Sequence, residues 1–390
     1  MNTKTNKYSF DDIVVFARTG LNPRDNFKLG LGNNNYITIK NIQNNTLIID
    51  KNTDLIDDDA LKLIHKRSQI KKGDILFASI GRMGDMYIIP EEPTGWDINE
   101  SVFAFTLNTN IITQKYFYYI FKNQATIDYL QKNSSGSTFK SIKMNQLKKM
   151  HFQLPTIEEQ KQISNILDKV TKIIVENKKL LEKYDVLIKS RFIEMFGDPV
   201  INEKDWDLKT LPELGEFGRG VSKHRPRNAP ELLGGKYPLI QTGDVANANL
   251  YITDYESTYS EEGFKQSKMW KAGTLCITIA ATIAKTAILT FDSCFPDSVV
   301  GFTPNEKTNS LFINYWFSFF QKILEEQAPA VAQKNINLQV LSELKIITPP
   351  ISLQNDFATF VQQIDKSKFE IWRYLKFSDI MNKIGFILYD

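Results

Sequence analysis

Four cations and a histidine fall within nine residues at Arg219-Gly220-Val221-Ser222-Lys223-His224-Arg225-Pro226-Arg227, and no acid interrupts them. In an exposed turn such side chains can meet a nucleic-acid backbone, and an arginine fork can bond guanine bidentately. Lys223, Arg225 and Arg227 are the candidates there. A looser counterpart near the start, Arg18-Thr19-Gly20-Leu21-Asn22-Pro23-Arg24, offers Arg18, Asn22 and Arg24. Two small-residue turns allow a backbone to approach a ligand closely. Ser79-Ile80-Gly81-Arg82-Met83-Gly84 brings Ser79 and Arg82, and Thr278-Ile279-Ala280-Ala281-Thr282 brings Thr278 and Thr282. Ser134-Ser135-Gly136-Ser137-Thr138-Phe139-Lys140 supplies Ser137, Thr138 and Lys140, ahead of Lys143, Lys148 and Lys149. Gln333, Lys334 and Asn335 set two amides beside a cation, and amides pair with adenine as arginine does with guanine. Each segment alone is also what a solvated loop looks like; their matched places in the two halves of the chain favour binding.

Catalytic chemistry has less to stand on. Gly234-Gly235-Lys236 lacks the upstream glycine of a phosphate loop, and Thr348-Pro349-Pro350-Ile351 lacks the polar and aromatic residues of an amino-methyltransferase motif. His65, His151 and His224 sit in unrelated segments without metal-ligand spacing. Pro296-Asp297 with Glu343-Leu344-Lys345 spells the acid pair plus lysine of a metal-dependent nuclease, a short pattern that arises often by chance. A nuclease therefore stays as the enzymatic alternative, tested by cleavage with the isolated chain. Among 390 residues there are two cysteines, Cys276 and Cys294, and the net charge is +3. So few thiols argue against a disulfide framework or zinc knuckle, and so small a charge permits nucleic acid without arguing for it. MNTKTNKYSFDD holds no signal-peptide core and no apolar run is long enough to span a membrane, so the expectation is a cytoplasmic chain without membrane contact.

The elements that must carry these turns repeat. Lys72-Gly73-Asp74-Ile75-Leu76 is answered by Ala272-Gly273-Thr274-Leu275-Cys276, and Asn99-Glu100-Ser101-Val102 by Pro296-Asp297-Ser298-Val299. An aromatic helical stretch, YFYYIFKNQATIDYL, is answered by FINYWFSFFQKILEE. Pro155-Thr156-Ile157-Glu158-Glu159-Gln160 is answered by Pro349-Pro350-Ile351-Ser352-Leu353-Gln354. Landmarks in the same order with few identities imply a shared fold and different ligands.

Each proline landmark opens a long helix. The first is expected over Ile157–Met195, with Ile163, Leu167, Val170, Ile174 and Leu181 in a narrow apolar stripe that Asn177 interrupts. Phe196-Gly197-Asp198-Pro199 stops it. The second runs from about Ser352 to the end, with Phe357, Val361, Ile364, Ile371 and Leu375 on its stripe. Stripes this narrow need a partner, and the expected one is the other helix, antiparallel; the alternative is packing of each helix on its own half. The expected class is α/β (α+β), divided into 1–154, a helical region 155–199, 200–348, and a helical region 349–390.

The chain resembles the specificity subunit of type I restriction–modification systems. The likeness is carried by Leu154-Pro155-Thr156-Ile157-Glu158-Glu159-Gln160 entering the first helix and by Arg191-Phe192-Ile193-Glu194-Met195-Phe196-Gly197-Asp198-Pro199 leaving it. Gln333-Lys334-Asn335-Ile336, Ile240-Gln241-Thr242-Gly243-Asp244-Val245 and the run from Thr274 to Val300 add to it, and bring Thr242 and Lys285 among the DNA-binding candidates. One departure is Ser352-Leu353-Gln354 where the first helix has Glu158-Glu159-Gln160, which could alter a contact to a partner subunit.

The resemblance implies two target-recognition domains reading a bipartite site in double-stranded DNA, separated by an antiparallel, coiled-coil-like helix pair. That pair would dock two modification subunits, which bind S-adenosylmethionine and methylate adenine N6. Restriction subunits using ATP and Mg would join them, leaving no cofactor, metal or catalytic residue in this chain. A helix of about 39 residues is about 58 Å long, so the pair would act as a ruler between half-sites. A recognition arm of another methyltransferase or nuclease assembly is the other binding reading. A pure coiled-coil scaffold would not need two strand-rich halves.

Overall fold

Ile75-Leu76-Phe77-Ala78 and Leu275-Cys276-Ile277-Thr278 are nearly continuous apolar runs, as expected of strands covered on both faces, and every residue in both is buried. Each lies inside the main sheet of one half of the chain. The computed structural model describes residues 6–43, 45–136, 139–280, 283–327 and 337–384. The chain divides into two compact units, Met1–Asn177 with Arg373–Asp390, and Lys178–Trp372.

The first half contains β1 (Asn6–Ser9), α1 (Phe10–Ile13), β2 (Val14–Thr19), β3 (Asn34–Ile37), β4 (Ile42–Gln43), β5 (Thr46–Leu47), β6 (Asp54–Ile56) and α2 (Asp58–Ser68). It continues with β7 (Ile75–Ala78), β8 (Met86–Ile88), β9 (Trp96–Ile98), β10 (Val102–Leu107), α3 (Gln114–Lys122), α4 (Gln124–Lys132), α5 (Met144–Leu147) and β11 (His151–Leu154). After α6 (Ile157–Phe196) come β12 (Leu208–Lys209), α7 (Leu211–Leu214), β13 (Gly215–Arg219), β14 (Leu233–Leu239), α8 (Thr242–Asn247), β15 (Tyr251–Ile252), β16 (Ser257–Tyr259) and α9 (Glu261–Lys265). The second half closes with β17 (Met269–Trp270), β18 (Leu275–Thr278), β19 (Thr286–Leu289), β20 (Ser293–Cys294), β21 (Val299–Pro304), α10 (Ser310–Gln327), α11 (Leu338–Glu343), β22 (Ile346–Ile347) and α12 (Ile351–Ile384).

The repeat is one of topology. The sheet β2-β10-β7-β8 corresponds to β13-β21-β18-β19, which β15 extends, and β6-β3-β9 corresponds to β16-β14-β20, which β17 extends. β3 runs parallel to β9, and β14 parallel to β20. β1 pairs with β11, and β12 with β22, so each half closes at its base on a two-stranded ribbon. The turn glycines Gly73 and Gly273 both have positive φ, +86° and +90°, a conformation glycine adopts without a Cβ clash. Aromatic rings fill both cores: Phe77, Phe105, Phe117 and Phe121 in the first, and Phe192, Phe196, Phe312 and Trp316 in the second.

The long helices keep their expected extents to within one residue at their starts. α6 opens on a capping box: the Thr156 hydroxyl accepts from the Glu159 amide at 3.3 Å, and the Glu159 carboxylate accepts from the Thr156 amide at 2.9 Å. It ends at Gly197, at φ +76°, whose amide bonds the Ile193 carbonyl at 2.7 Å.

What the two helix entries share is a buried glutamine. Gln160 donates to the carbonyls of Ile111 and Pro155 at 2.8 and 3.0 Å and accepts from the Thr113 amide at 2.9 Å. Gln354 donates to the carbonyls of Lys307 and Pro349 at 3.0 and 2.8 Å and accepts from the Thr308 hydroxyl at 2.9 Å. Both side chains are fully buried. The Glu-Glu to Ser-Leu departure therefore spares the residue that latches each helix to its own half.

Within the second unit the two helices meet antiparallel. Phe192 and Phe196 pack edge-on against Phe357 at 5.4 and 5.6 Å, Arg191 lies over Phe360 at 5.7 Å, and Asp185 pairs with Lys368 at 2.6 Å. Positions descending α6 thus meet positions ascending α12. Phe312 of α10 stacks on Phe192 in the same cluster, at 5.5 Å, so helix pairing and packing on the half both occur at this end.

Candidate nucleic-acid interface

In the first half, β2 delivers the chain into the loop at Gly20, where an added Cβ would lie 1.6 Å from the Ile98 carbonyl oxygen. Only glycine lets this loop press on the end of β9. Beyond it Asn22 accepts from the Asn26 amide group at 3.0 Å through its carbonyl, and Arg24 is exposed. A second site forms where two candidate turns meet. The Gly81 amide donates to the Lys140 carbonyl at 3.0 Å, and the Ile142 amide to the Ser79 carbonyl at 2.9 Å. Arg82, half exposed beside Asp85 at 3.6 Å, and Lys140 therefore share one rim. Phe139 lies there 71% exposed, a large apolar residue outside any core cluster.

Three expected contacts are corrected. Arg18 is internal: its guanidinium bonds Asp74 at 2.8 Å and the Gln69 carbonyl at 2.8 Å, and its side chain is 15% exposed. Asp74 is buried, so Arg18 neutralises a core carboxylate and has no fork left for a base. Ser79 is buried and donates to the Ser101 carbonyl at 2.7 Å. Thr278 is fully buried and bonds the backbone of Lys285. Both hydroxyls satisfy strand ends. Ser137, Thr138, Thr282, Gln333, Lys334 and Asn335 lie outside the described residues.

In the second half the basic loop is anchored at its base. The Gln266 side-chain oxygen accepts from the amides of Lys223 and His224 at 2.6 and 2.9 Å, and Ser267 donates to the Val221 carbonyl at 2.8 Å. A Cβ at Gly220 would lie 2.1 Å from the Phe295 carbonyl oxygen. Lys223, Arg225 and Arg227 are exposed. Asp297 pairs with Arg225 at 3.4 Å and with Arg227 more closely, so the two guanidiniums are held side by side. Asp297 is thus engaged by two cations of the basic loop. Glu343 accepts from Gln339 at 2.8 Å, and among the described residues no three His, Cys, Asp or Glu side chains gather as a metal site needs. Thr242, the first residue of α8, and Lys285, just before β19, are half-buried.

The helix stripes divide. Phe357, Val361 and Ile364 are buried in the second core and hold α12 to its half, so they are closed to other chains; Leu375 is buried as well. Ile163 packs on the first core, while Leu167, Val170, Ile174, Leu181 and Ile371 are half-buried. Ile166, Ile173, Leu180 and Leu187, expected on the same apolar stripe of the first helix, form a row of their own, seven residues apart and all exposed. Missed was the stretch from Lys62 to Lys72, with Lys62, His65, Lys66, Arg67, Lys71 and Lys72, all exposed. The signal was its lack of any acid, which a reading of turns alone passes over.

Residues 3–185 and 203–376 each match the family described as Type I restriction modification DNA specificity domain. The MjaX type I restriction enzyme specificity subunit of Methanocaldococcus jannaschii is 25% identical over 312 residues, covering 75% of this chain and 72% of that protein. The type I S subunit from M. genitalium superposes with a TM-score of 0.57 at 16% identity, over 98% of this chain and 95% of that one. A chain from a type I R-M system, solved for its complex assembly and conformational transition, gives 0.61 at 14%, over 98% and 96%. At these identities the structural likeness speaks to fold. No helix among the described residues is long and apolar enough to cross a membrane.

Proposed function

The chain belongs to the type I restriction modification DNA specificity family, and on that premise we propose that each half reads one part of a split DNA sequence. It is the DNA-recognition subunit of a restriction–modification assembly, with the catalysis in other subunits. The observation that carries the two-part reading is the duplicated strand topology with unlike polar loops. The loop after β2 presents Asn22 and Arg24, whereas the loop after β13 presents Lys223, Arg225 and Arg227. One scaffold with two different readers suits an asymmetric, bipartite target.

We assign the finer partners in the same reading. Two modification subunits dock along the helices, bind S-adenosylmethionine and methylate adenine N6; restriction subunits using ATP and Mg complete the assembly in the cytoplasm. The exposed α6 row of Ile166, Ile173, Leu180 and Leu187 supports the docking, because an apolar heptad row left in water is a ready helix-packing surface. The test is a map of N6-methyladenine across the host genome with and without the gene. A split motif should vanish with the gene, and its persistence would refute the reading.

A further inference from the structure

We propose that the C-terminal half of α2, with the segment after it, is a second DNA-backbone contact of the first half. This rests on the DNA-recognition reading and adds a face that the turn loops do not include. Lys62, His65, Lys66, Arg67, Lys71 and Lys72 are exposed within eleven residues that contain no acid. Cations in a last helical turn ease the helix dipole, but Lys71 and Lys72 lie beyond the helix end at Ser68.

The other half provides the comparison. There α9 follows β16 as α2 follows β6, and its stretch carries Lys265, Lys268 and Lys271. Each is tied to a carboxylate: Glu262 at 2.9 Å, Glu216 at 2.6 Å and Asp292 at 2.6 Å. In the first half Lys62 meets Asp59 at 3.6 Å, and Lys71 and Lys72 meet the carboxylates of Asp74 and Glu92 through their backbone amides, at 3.1 and 3.3 Å. Among the described residues the side-chain cations of Lys66, Arg67, Lys71 and Lys72 pair with no carboxylate. The same place in the fold has its lysine side chains tied to carboxylates in one half and left unpaired in the other.

The face adjoins the first candidate loop. Arg67 donates to the Thr19 hydroxyl at 3.3 Å, and Thr19 leads into Gly20, which abuts Ile98. One residue before Ile98 is Asp97, whose carboxylate is completely buried and meets the His65 Nδ1 at 3.1 Å, while the imidazole is 55% exposed. Burial pushes the Asp97 carboxyl above the ordinary range.

The charged and titratable groups on the elements packed against α2 are Asp97 on β9, Arg18 on β2 (spent on Asp74), Asp54 on β6 and the Tyr36 phenol on β3. On α2 itself are Lys62, Lys66 and Arg67, with Asp58 and Asp59 at the far end.

The experiment titrates the full chain with a mixed-sequence duplex of about four helical turns, by fluorescence anisotropy, at several salt concentrations. Lys66→Gln with Arg67→Gln should weaken the salt slope by about 1.8, at about 0.9 per phosphate. Both positions are exposed, so thermal unfolding should stay near wild type. A wild type that binds, with a double variant matching it in salt slope, overturns the inference alone. A wild type that binds no DNA at any salt concentration overturns the recognition reading and the inference with it.

Discussion

Replacing Lys223, Arg225 and Arg227 together by glutamine gives the sharpest check on the second-half interface. Asp297 changes the arithmetic. Three cations and one carboxylate make the wild-type patch +2, and the triple variant leaves Asp297 alone at −1. If Asp297 stays paired when DNA binds, two phosphate contacts are lost and the slope of log affinity against log salt weakens by about 1.8; if DNA displaces it, three are lost and the change is about 2.7. From about 50 to about 200 mM salt, wild-type affinity should then fall about 12-fold to about 40-fold further than that of the variant. Adding Asp297→Asn to the triple variant should recover affinity at low salt, because it removes an anion with no partner. The assay is anisotropy of a labelled duplex across that salt range. The anchoring of the loop by Gln266 uses backbone amides and survives the substitutions, whereas the Arg225 bonds to the Ser222 and His224 carbonyls are lost, so Arg225 is also replaced alone and thermal unfolding is followed beside binding. A slope unchanged to within about 0.5 would take this loop out of the DNA interface.

Gln160→Ala and Gln354→Ala each strip three hydrogen bonds from a buried site, a loss of about 2–4 kcal/mol, which should lower the urea midpoint of the affected half by about 1–2 M. A midpoint within about 0.3 M of wild type would show that the latch is ornamental. Ile173→Asp with Leu180→Asp, both on the exposed α6 row, should abolish co-purification of modification subunits while leaving thermal unfolding near wild type; intact co-purification would move the docking surface elsewhere.

The duplicated fold was legible because its markers are local. A positive-φ glycine before an apolar strand, a proline before a periodic run and a Gly-Asp-Pro stop all lie within a few residues of what they determine. The side-chain roles were less legible because their partners are remote. Nothing around Arg18 announces Asp74, 56 positions on, and Ser79 and Thr278 read as open turns although strand ends bury them. The same distance effect hid the fate of Phe357 and Val361. Their spacing reveals a stripe but not that Phe192, Phe196 and Phe312 already cover it. The α2 cations were visible in sequence, but their meaning came from contrast with Lys265, Lys268 and Lys271, whose carboxylates arrive from other elements.

The paired latches have an evolutionary consequence. Each half hangs on its helix by a two-stranded ribbon, a proline and one glutamine, with all three latch bonds of that glutamine made inside its own half. A genetic crossover within the stretch encoding α6 would pass a foreign amino-terminal half to an existing carboxyl-terminal one with both latches intact. Specificity can thus change by recombination of whole reading cassettes, a single step that never passes through an unlatched, misfolded intermediate.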